Sequence, residues 1–348
     1  MTGLSNSRRF SAASGSPTFS VIVPAYNSEE YICEALDSLV GQTYAGKYEV
    51  ICVDDGSTDS TPGILDDYAS AHDVIRVLHR DNQGPLLARR EGLQVARGEY
   101  AMFLDSDDCY RKDALEVVAN AIKETGADII SFTHSRTPDF APLRRKADML
   151  KTGLYAGERY SLVKRHLSRG RFNTLWNKSI RMSRFDLLES YSQYRGLKHG
   201  EDWFQLIPVI DASKSLCQLS DALYYYRPNN SSGTASFRQS QVSDIAVVHS
   251  RFLDYARRWG DDCYRLACGG EAIQYINLLK ISELSNVTKA EKSCNFALIA
   301  DTMRREGTFE RCGEADLRPD NRQIVWALKH GCRHVALVVV KAVEAMKR

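Results

Sequence analysis

Several things this sequence lacks narrow its reading at once. Its nine cysteines are scattered, odd in number and never spaced as CxxC. That argues against a zinc site or a disulfide framework and fits the reduced thiols of a cytosolic protein. No apolar run approaches the roughly 18 residues that a membrane-crossing helix requires. The first stretch, 1–17, is rich in Ser, Gly and Arg and has no apolar core, so it reads as a disordered leader and not a secretory signal. Charge of one sign is lacking too. With a formal net charge of +2, no global field selects nucleic acid, so any preference for anions must be local. Internal repeats and low-complexity tracts are also missing.

What remains is an ordinary globular composition, 43% hydrophobic and 26% charged over 348 residues, enough for one large domain or two of common size. Phe19–Pro24, Tyr48–Val53, Val74–Leu78, Tyr100–Leu104 and Asp128–Phe132 are short apolar, β-branched runs that read as buried strands. Between them lie helical patterns: Ile32 to Gly41, a start at Thr61-Pro62 with Thr61 as N-cap, Leu86 to Gly98, and Asp113 to Thr125. Strands alternating with helices of this length predict βαβ units and a mostly parallel sheet.

In such sheets ligands bind beyond the carboxyl ends of the strands. Three polar clusters fall there: Pro24 to Asn27, Asp54 to Asp59, and Asp105 to Asp108. Asp105, Asp107 and Asp108 place three carboxylates in four positions, which repel one another unless something cationic offsets them. Residues two apart in an extended chain point the same way, so Asp105 and Asp107 can reach one hard divalent ion. A solvated acidic turn capping the next helix is the alternative for this cluster taken alone.

Beyond Phe132 the pattern weakens. Residues 133–152 read as a polar loop with a basic patch at Arg144-Arg145-Lys146, and Thr174–Arg181 as a strand leaving a turn. An apolar helix runs through Phe204, Leu206, Ile207, Val209 and Ile210, followed by two short strands, Leu216–Leu219 and Leu223–Arg227. Pro228 to Thr234 is built for mobility, and from about Gln239 the periodicity is helical. The last segment, Gln323 to Arg348, carries five Lys or Arg against the one acid Glu344, with apolar residues mainly on its other side. It predicts a basic amphipathic helix, either docked on its own domain or lying on an anionic membrane surface.

Seven motifs, in order over residues 19–235, give the chain a family resemblance. They are Val21-Ile-Val-Pro-Ala-Tyr-Asn27, Val53-Asp-Asp-Gly-Ser-Thr-Asp59, Asn82-Gln-Gly84, Gly98 to Tyr100 with Phe103 to Asp108, Leu175-Trp-Asn-Lys178, Glu201-Asp202, and Tyr225-Tyr-Arg227. Together they resemble glycosyltransferase family 2, inverting transferases that use nucleotide sugars. The resemblance implies a GT-A fold, an α/β architecture that is Rossmann-like, with a mostly parallel sheet and helices on both faces. It implies a transferase domain over 18–235, divided into a nucleotide-sugar half (18–132) and an acceptor half (133–235), and a C-terminal helical region over 236–348.

By the same resemblance, Mg²⁺ or Mn²⁺ sits at the Asp105 to Asp108 element on the donor diphosphate. Asp107 is its direct ligand, and Asp105 and Asp108 assist through ribose, water or support of the ligand. Pro24, Ala25 and Tyr26 line the base, with Asn27 and Glu30 beside them, and Asp54 or Asp55 accepts its ring N–H. Asn82, Gly84, Arg89 and Ser106 complete the donor site; Arg89 or Arg90 meets the diphosphate or makes a surface salt bridge. Arg227, with the loop after it, closes over the diphosphate or forms an ordinary hairpin. Asp202 is the general base for the acceptor hydroxyl, Glu201 the runner-up, and a simple helix cap the bland alternative. Trp176 and Trp203 read as core packing before acceptor stacking. The implied partners are a nucleotide-sugar donor and a saccharide or lipid-linked acceptor. The setting is cytoplasmic, with peripheral contact at the inner face of the membrane and a role in surface polysaccharide synthesis.

Three rivals were weighed. An NAD-type oxidoreductase needs GxGxxG after the first strand, where Pro24-Ala-Tyr-Asn27 offers no glycine. A nucleotidyltransferase needs a Gly-rich, Arg/Lys-bearing loop there, which is lacking as well. A non-catalytic module of the same fold would be expected to have lost Asp107 or Asp202, and both are present.

Overall fold

A computed structural model of the chain describes residues 16–141, 150–228, 236–313 and 317–346. The expected leader therefore lies almost wholly outside the described residues, as do Arg144-Arg145-Lys146, the Asn229 to Thr234 loop, and Lys347 and Arg348. In chain order the elements are β1 (Phe19–Ala25), α1 (Ile32–Val40), β2 (Tyr48–Asp54), α2 (Thr61–Ala71), β3 (Ile75–His79), α3 (Pro85–Val95) and β4 (Tyr100–Phe103). They continue as β5 (Cys109–Tyr110), α4 (Ala114–Thr125), β6 (Ile129–Ser135), β7 (Gly153–Ala156), α5 (Ser161–Ser168), β8 (Lys178–Arg181), α6 (Glu201–Ala212) and β9 (Ser215–Tyr225). Six helices follow: α7 (Ser240–Arg258), α8 (Asp261–Leu284), α9 (Lys289–Arg305), α10 (Thr308–Arg311), α11 (Pro319–Lys329) and α12 (Arg333–Ala345).

Contacts divide these elements into two units. One comprises the residues up to Ala156 with Leu175–Arg195 and Ala212–Arg227; the other comprises Gly157–Thr174, Gly196–Asp211 and the chain from Pro228 onward.

The first unit is built on one sheet in the order β3-β2-β1-β4-β8-β6-β9-β5, with β7 paired to β9. β3, β2, β1 and β4 run parallel, as the βαβ pattern predicts. The remainder is mixed, because β8 is antiparallel to β4 and β6, while β6 and β9 are parallel. Alternate side chains of the buried strands serve opposite faces. Val21, Val23, Val50 and Cys52 join Ile32, Leu36 and Leu39 of α1 and Leu115 and Val118 of α4 in one core. Ile51 and Val53, pointing the other way, pack on Ala88 of α3. The sheet is thus covered on both faces, which is why its strands read as continuous apolar runs.

Several local expectations are corrected. Leu216–Leu219 and Leu223–Arg227 are not two strands but parts of the single eleven-residue β9. Its polar Ser220-Asp221 looks like a turn in sequence, yet it sits mid-strand at positions of intermediate burial or exposed. Ser60, not Thr61, occupies the N-cap position of α2, and the Thr61 amide is satisfied by Asp59 Oδ1 at 3.0 Å. α3 ends at Val95, three residues before Gly98.

The second unit is helical. α8 is its axis and packs against α5, α7, α9, α10, α11 and α12. Leu278, Leu279, Phe296, Ile299, Ile324 and Val340 are among its core. The expected single C-terminal helix is two. Gly331, at φ 70°, turns the chain between α11 and α12, a conformation that glycine adopts without strain. Ala336 and Val340 of α12 are buried in this unit's core, while Val338 and Met346 are exposed. No helix among the described residues is long and apolar enough to cross a membrane.

Candidate active site at the strand ends

The carboxyl ends of β1, β2 and β4 lie side by side, since β1 is parallel to both neighbours. Their loops are laced together by side chains that satisfy backbone amides. Asn27 accepts from the Thr58 amide at 2.8 Å, and its own amide donates to Ser57 Oγ at 3.0 Å. The Ser28 amide donates to Thr61 Oγ1, and Glu29 and Asp59 each accept from the other's loop, through the Ser60 and Glu29 amides. Ser28 Oγ meets Ser106 Oγ at 2.7 Å, which ties the β1 loop to the β4 loop. Asn27 holds a left-handed backbone, φ 48°, a region that Asn tolerates better than most residues.

Asp54 and Asp55 at the end of β2 have different partners. Asp54 Oδ1 accepts from the Ser57 amide, and Oδ2 lies 3.0 Å from His79 Nδ1, whose Nε2 is 3.1 Å from Asp66. Burial pushes the Asp54 carboxyl up, but the hydrogen bonds from Ser57 and His79 outweigh it and leave it below its usual range. Those to Asp54 and Asp66 in turn raise His79. Asp55 accepts from the Gln83 amide with one oxygen and the Gly84 amide with the other, both at 2.8 Å. Gly84, at φ 93°, is the N-cap of α3, so Asp55 fixes where that helix begins.

α3 then delivers Arg89 and Arg90, both buried. Arg89 Nη2 donates to Asp105 Oδ1 at 2.8 Å, a salt bridge between a buried guanidinium and a partly exposed carboxylate. Arg90 donates to the carbonyls of Asp186 and Glu189 and lies 4.8 Å from the centre of the Tyr191 ring.

The three acidic side chains at the end of β4 diverge. Asp105 is turned to Arg89. Asp108 is buried; its Oδ2 accepts from Tyr224 Oη at 2.7 Å and its Oδ1 from the Arg227 amide at 2.7 Å. Burial first, then the charges of Asp105 and Asp107, push Asp108 up to about 8. Asp107 is partly exposed, and its carbonyl accepts from Arg227 Nε at 2.8 Å. Among the described residues no three His, Cys, Asp or Glu side chains are grouped to hold a metal ion. Asp105, Asp107 and Asp108 therefore do not converge as a ready three-carboxylate cage, and the expected arrangement, with Asp107 as the direct ligand and the other two assisting, does not call for one. The donor set still fits a nucleotide-borne ion, because Mg²⁺ or Mn²⁺ needs only one or two protein carboxylates when phosphates supply the other oxygens.

Of the remaining expected residues, Tyr26, Asn27 and Glu30 are exposed at the β1 end, Pro24 is intermediate and Ala25 buried. Asn82 is exposed, and its carbonyl accepts from Arg195 at 2.9 Å. Arg227 braces the β4 loop and pairs with Glu34 at 2.6 Å across the Tyr31 ring. Trp176 stacks on Tyr224 with ring centres 4.6 Å apart. Glu201 and Asp202 belong to the helical unit, in the first turn of α6, where helix polarity favours carboxylates. Trp203 of the same helix is buried against His249 and Phe252.

Sequence reasoning passed over Tyr224, Glu34 and Ser28. Tyr224 is the most consequential, since its hydroxyl donates to Asp108 and accepts from the Asp105 amide. Its only signal was membership of the Tyr224-Tyr225-Tyr226-Arg227 run.

The glycosyl transferase family 2 model matches residues 20–188, the stretch that contains this corner. The chain carries a family 2 glycosyltransferase domain. Over 219 residues it is 32% identical to the putative glycosyltransferase EpsH of Bacillus subtilis (strain 168), covering 62% of each chain. It is 44% identical over 113 residues to the poly(ribitol-phosphate) beta-glucosyltransferase of Bacillus spizizenii, which is 32% of this chain and 18% of that one. The chain thus spans between about a fifth and three fifths of these two relatives. Among solved structures, residues 1–349 of Staphylococcus aureus TarS superpose with a TM-score of 0.67 at 20% identity, over 94% of this chain and 91% of that one. The family 2 domain and this likeness make the fold GT-A-like, as expected.

Proposed function

We propose that the chain is an inverting glycosyltransferase that moves a sugar from a nucleotide-diphosphate donor to a saccharide or lipid-linked acceptor. The observation that carries this reading is the lacing of three parallel strand ends into one polar corner, with Asp107 exposed in its acidic loop. Pro24, Ala25 and Tyr26 would line the base, and Asp54 or Asp55 would accept its ring N–H. Asp107 would hold Mg²⁺ or Mn²⁺, with Arg89-bound Asp105 and Ser106 beside it and Asp108 supporting the loop from behind. When bound, such an ion supplies positive charge to the departing diphosphate. Asp202 would take the proton of the acceptor hydroxyl, with Glu201 as the second choice. Attack from the face opposite the leaving group inverts the anomeric centre.

Residues 18–132 would be the donor half, 133–235 the acceptor half and 236–348 an accessory region. Relatives named for poly(ribitol-phosphate) glycosylation support an acceptor among cell-surface polymers. The TarS fragment solved with UDP and with UDP-GlcNAc puts UDP-sugars first among donors to test. Action at the cytoplasmic face of the membrane, with α12 touching it, belongs to the same proposal.

The test is a panel of UDP- and GDP-sugars, with and without Mn²⁺, read as nucleotide release and as a shift in melting temperature. A metal-dependent response to at least one donor is expected. No response to any donor would overturn the reading. Asp202→Asn should keep donor binding while transfer collapses, and retained transfer would move the base elsewhere.

A further inference from the structure

The helical unit holds a cavity that the proposed chemistry leaves unused. Its volume is about 500 Å³, and its lining includes Arg169 and Arg171 beyond α5, Asn277 and Lys280 of α8, and Arg318 at the start of α11. Among the described residues, four of the lining side chains are cationic and none is acidic. Asp320 is a nearby counter-charge. It accepts from Arg318 at 2.9 Å and lies 3.8 Å from Lys280 Nζ. Among the described residues, no carboxylate pairs with Arg169. Like charges gathered in one concavity repel, and an anion seated among them relieves that cost.

A second cavity of about 330 Å³ adjoins the first, sharing Asn277, Lys280 and Val343. It continues along Ile281, Leu284 and Val340, with Glu344 its one acid among the described residues. Leu284 is 48% exposed, an apolar side chain half offered to solvent beside a cationic recess. A free anion would use only the first cavity, whereas a ligand with an anionic head and a hydrocarbon tail would use both.

We propose that these joined cavities bind an anionic amphiphile, its phosphate head among Arg169, Arg171, Lys280 and Arg318 and its tail along Ile281 and Leu284. The planar guanidinium fork matches phosphate oxygens two at a time, which suits arginine over lysine at such a site. The site stands apart from the strand-end corner in its residues, so it does not depend on the donor assignment.

Isothermal titration of the full chain tests it with three probes: dihexanoyl phosphatidic acid below its micelle concentration, glycerol 3-phosphate, and dihexanoyl phosphatidylcholine. The phosphatidate should bind at least about tenfold more tightly than either control, the factor that one good charged contact or a few buried methylenes supply. Arg169→Gln with Arg171→Gln should lower phosphatidate affinity at least about tenfold. Leu284→Ser should weaken phosphatidate while leaving glycerol 3-phosphate unchanged. These positions are exposed, so melting curves should match the parent, and UDP binding measured alongside should not move. Equal binding of phosphatidate and glycerol 3-phosphate would overturn the tail, and equal binding of phosphatidylcholine the anionic head. Unaltered phosphatidate binding by the arginine variant would overturn the site itself.

Discussion

Two pairs of buried carboxylates, one pair in each unit, do different work. At the strand ends of the sheet unit, Asp55 accepts from two loop amides, and Asp108 from a tyrosine hydroxyl and an amide. In the helical unit, two carboxylates of α8 meet arginines that tie helix to helix. Glu271 of α8 pairs with Arg311 at 2.9 Å, and Glu283 of the same helix pairs with Arg333 of α12 at 2.7 Å. The first arrangement fixes loop shape at a place where chemistry is proposed, and the second fixes how helices dock. Changes at the acidic loop should therefore cost activity, and changes at the α8 ion pairs stability.

The largest expected effect is on activity alone. Asp107→Asn should lower donor-dependent transfer by about 10²–10³-fold, the scale of a lost group that stabilises developing charge. Its melting temperature should stay near the parent's because Asp107 is partly exposed. A large fall in melting temperature would break the contrast between the units. Next comes Arg311→Ala, which strands Glu271 in the helical unit and should cost about 3 kcal/mol in denaturant unfolding. Donor binding to the sheet unit should survive it.

A pH scan sharpens the same contrast. His249 is fully buried, neither ring nitrogen has a hydrogen-bond partner among the described residues, and burial first, then Arg311, lowers it to about 3. The folded protein thus binds fewer protons at this ring than the unfolded one. Its contribution is fully present above the ordinary histidine value near 6.5 and is lost as pH falls from there toward about 3, at up to roughly 1.4 kcal/mol per pH unit. His249→Phe should flatten that slope, and an unchanged slope would assign it to other groups. The smallest effect is expected from Tyr224→Phe, which removes the hydroxyl shared by Asp108 and the Asp105 amide. About 1–2 kcal/mol of stability should go, with donor affinity falling alongside.

Much of the sheet unit was legible because its signals are local. Buried parallel strands read as apolar runs, and each ended where the sequence turned polar, so β1 to β4 and β6 were readable to within a few residues. The antiparallel side was harder. β9 carries Ser220-Asp221 at its centre, and pairing with the sequence-distant β6 and β7 decides its continuity. β7, β5 and α5 are short and left no periodicity to read. At the candidate site, residue types and strand ends were readable, but partners were not. Nothing in Asp105-Ser-Asp107-Asp108 says that the first faces an arginine 16 residues upstream and the last a tyrosine 116 residues downstream. The break at Gly331 was visible as a glycine, yet the amphipathic pattern on either side concealed it.

The bond from Asp55 to the Gly84 amide carries a consequence for how this corner can change. Gly84 starts α3, α3 carries Arg89, and Arg89 holds Asp105, so the ends of β2 and β4 are mechanically in series. Substitutions along that series should be epistatic, with paired effects departing from the sum of single ones. A designer seeking a new donor would then have to transplant the three loops as a set, since each is shaped by residues that the others supply.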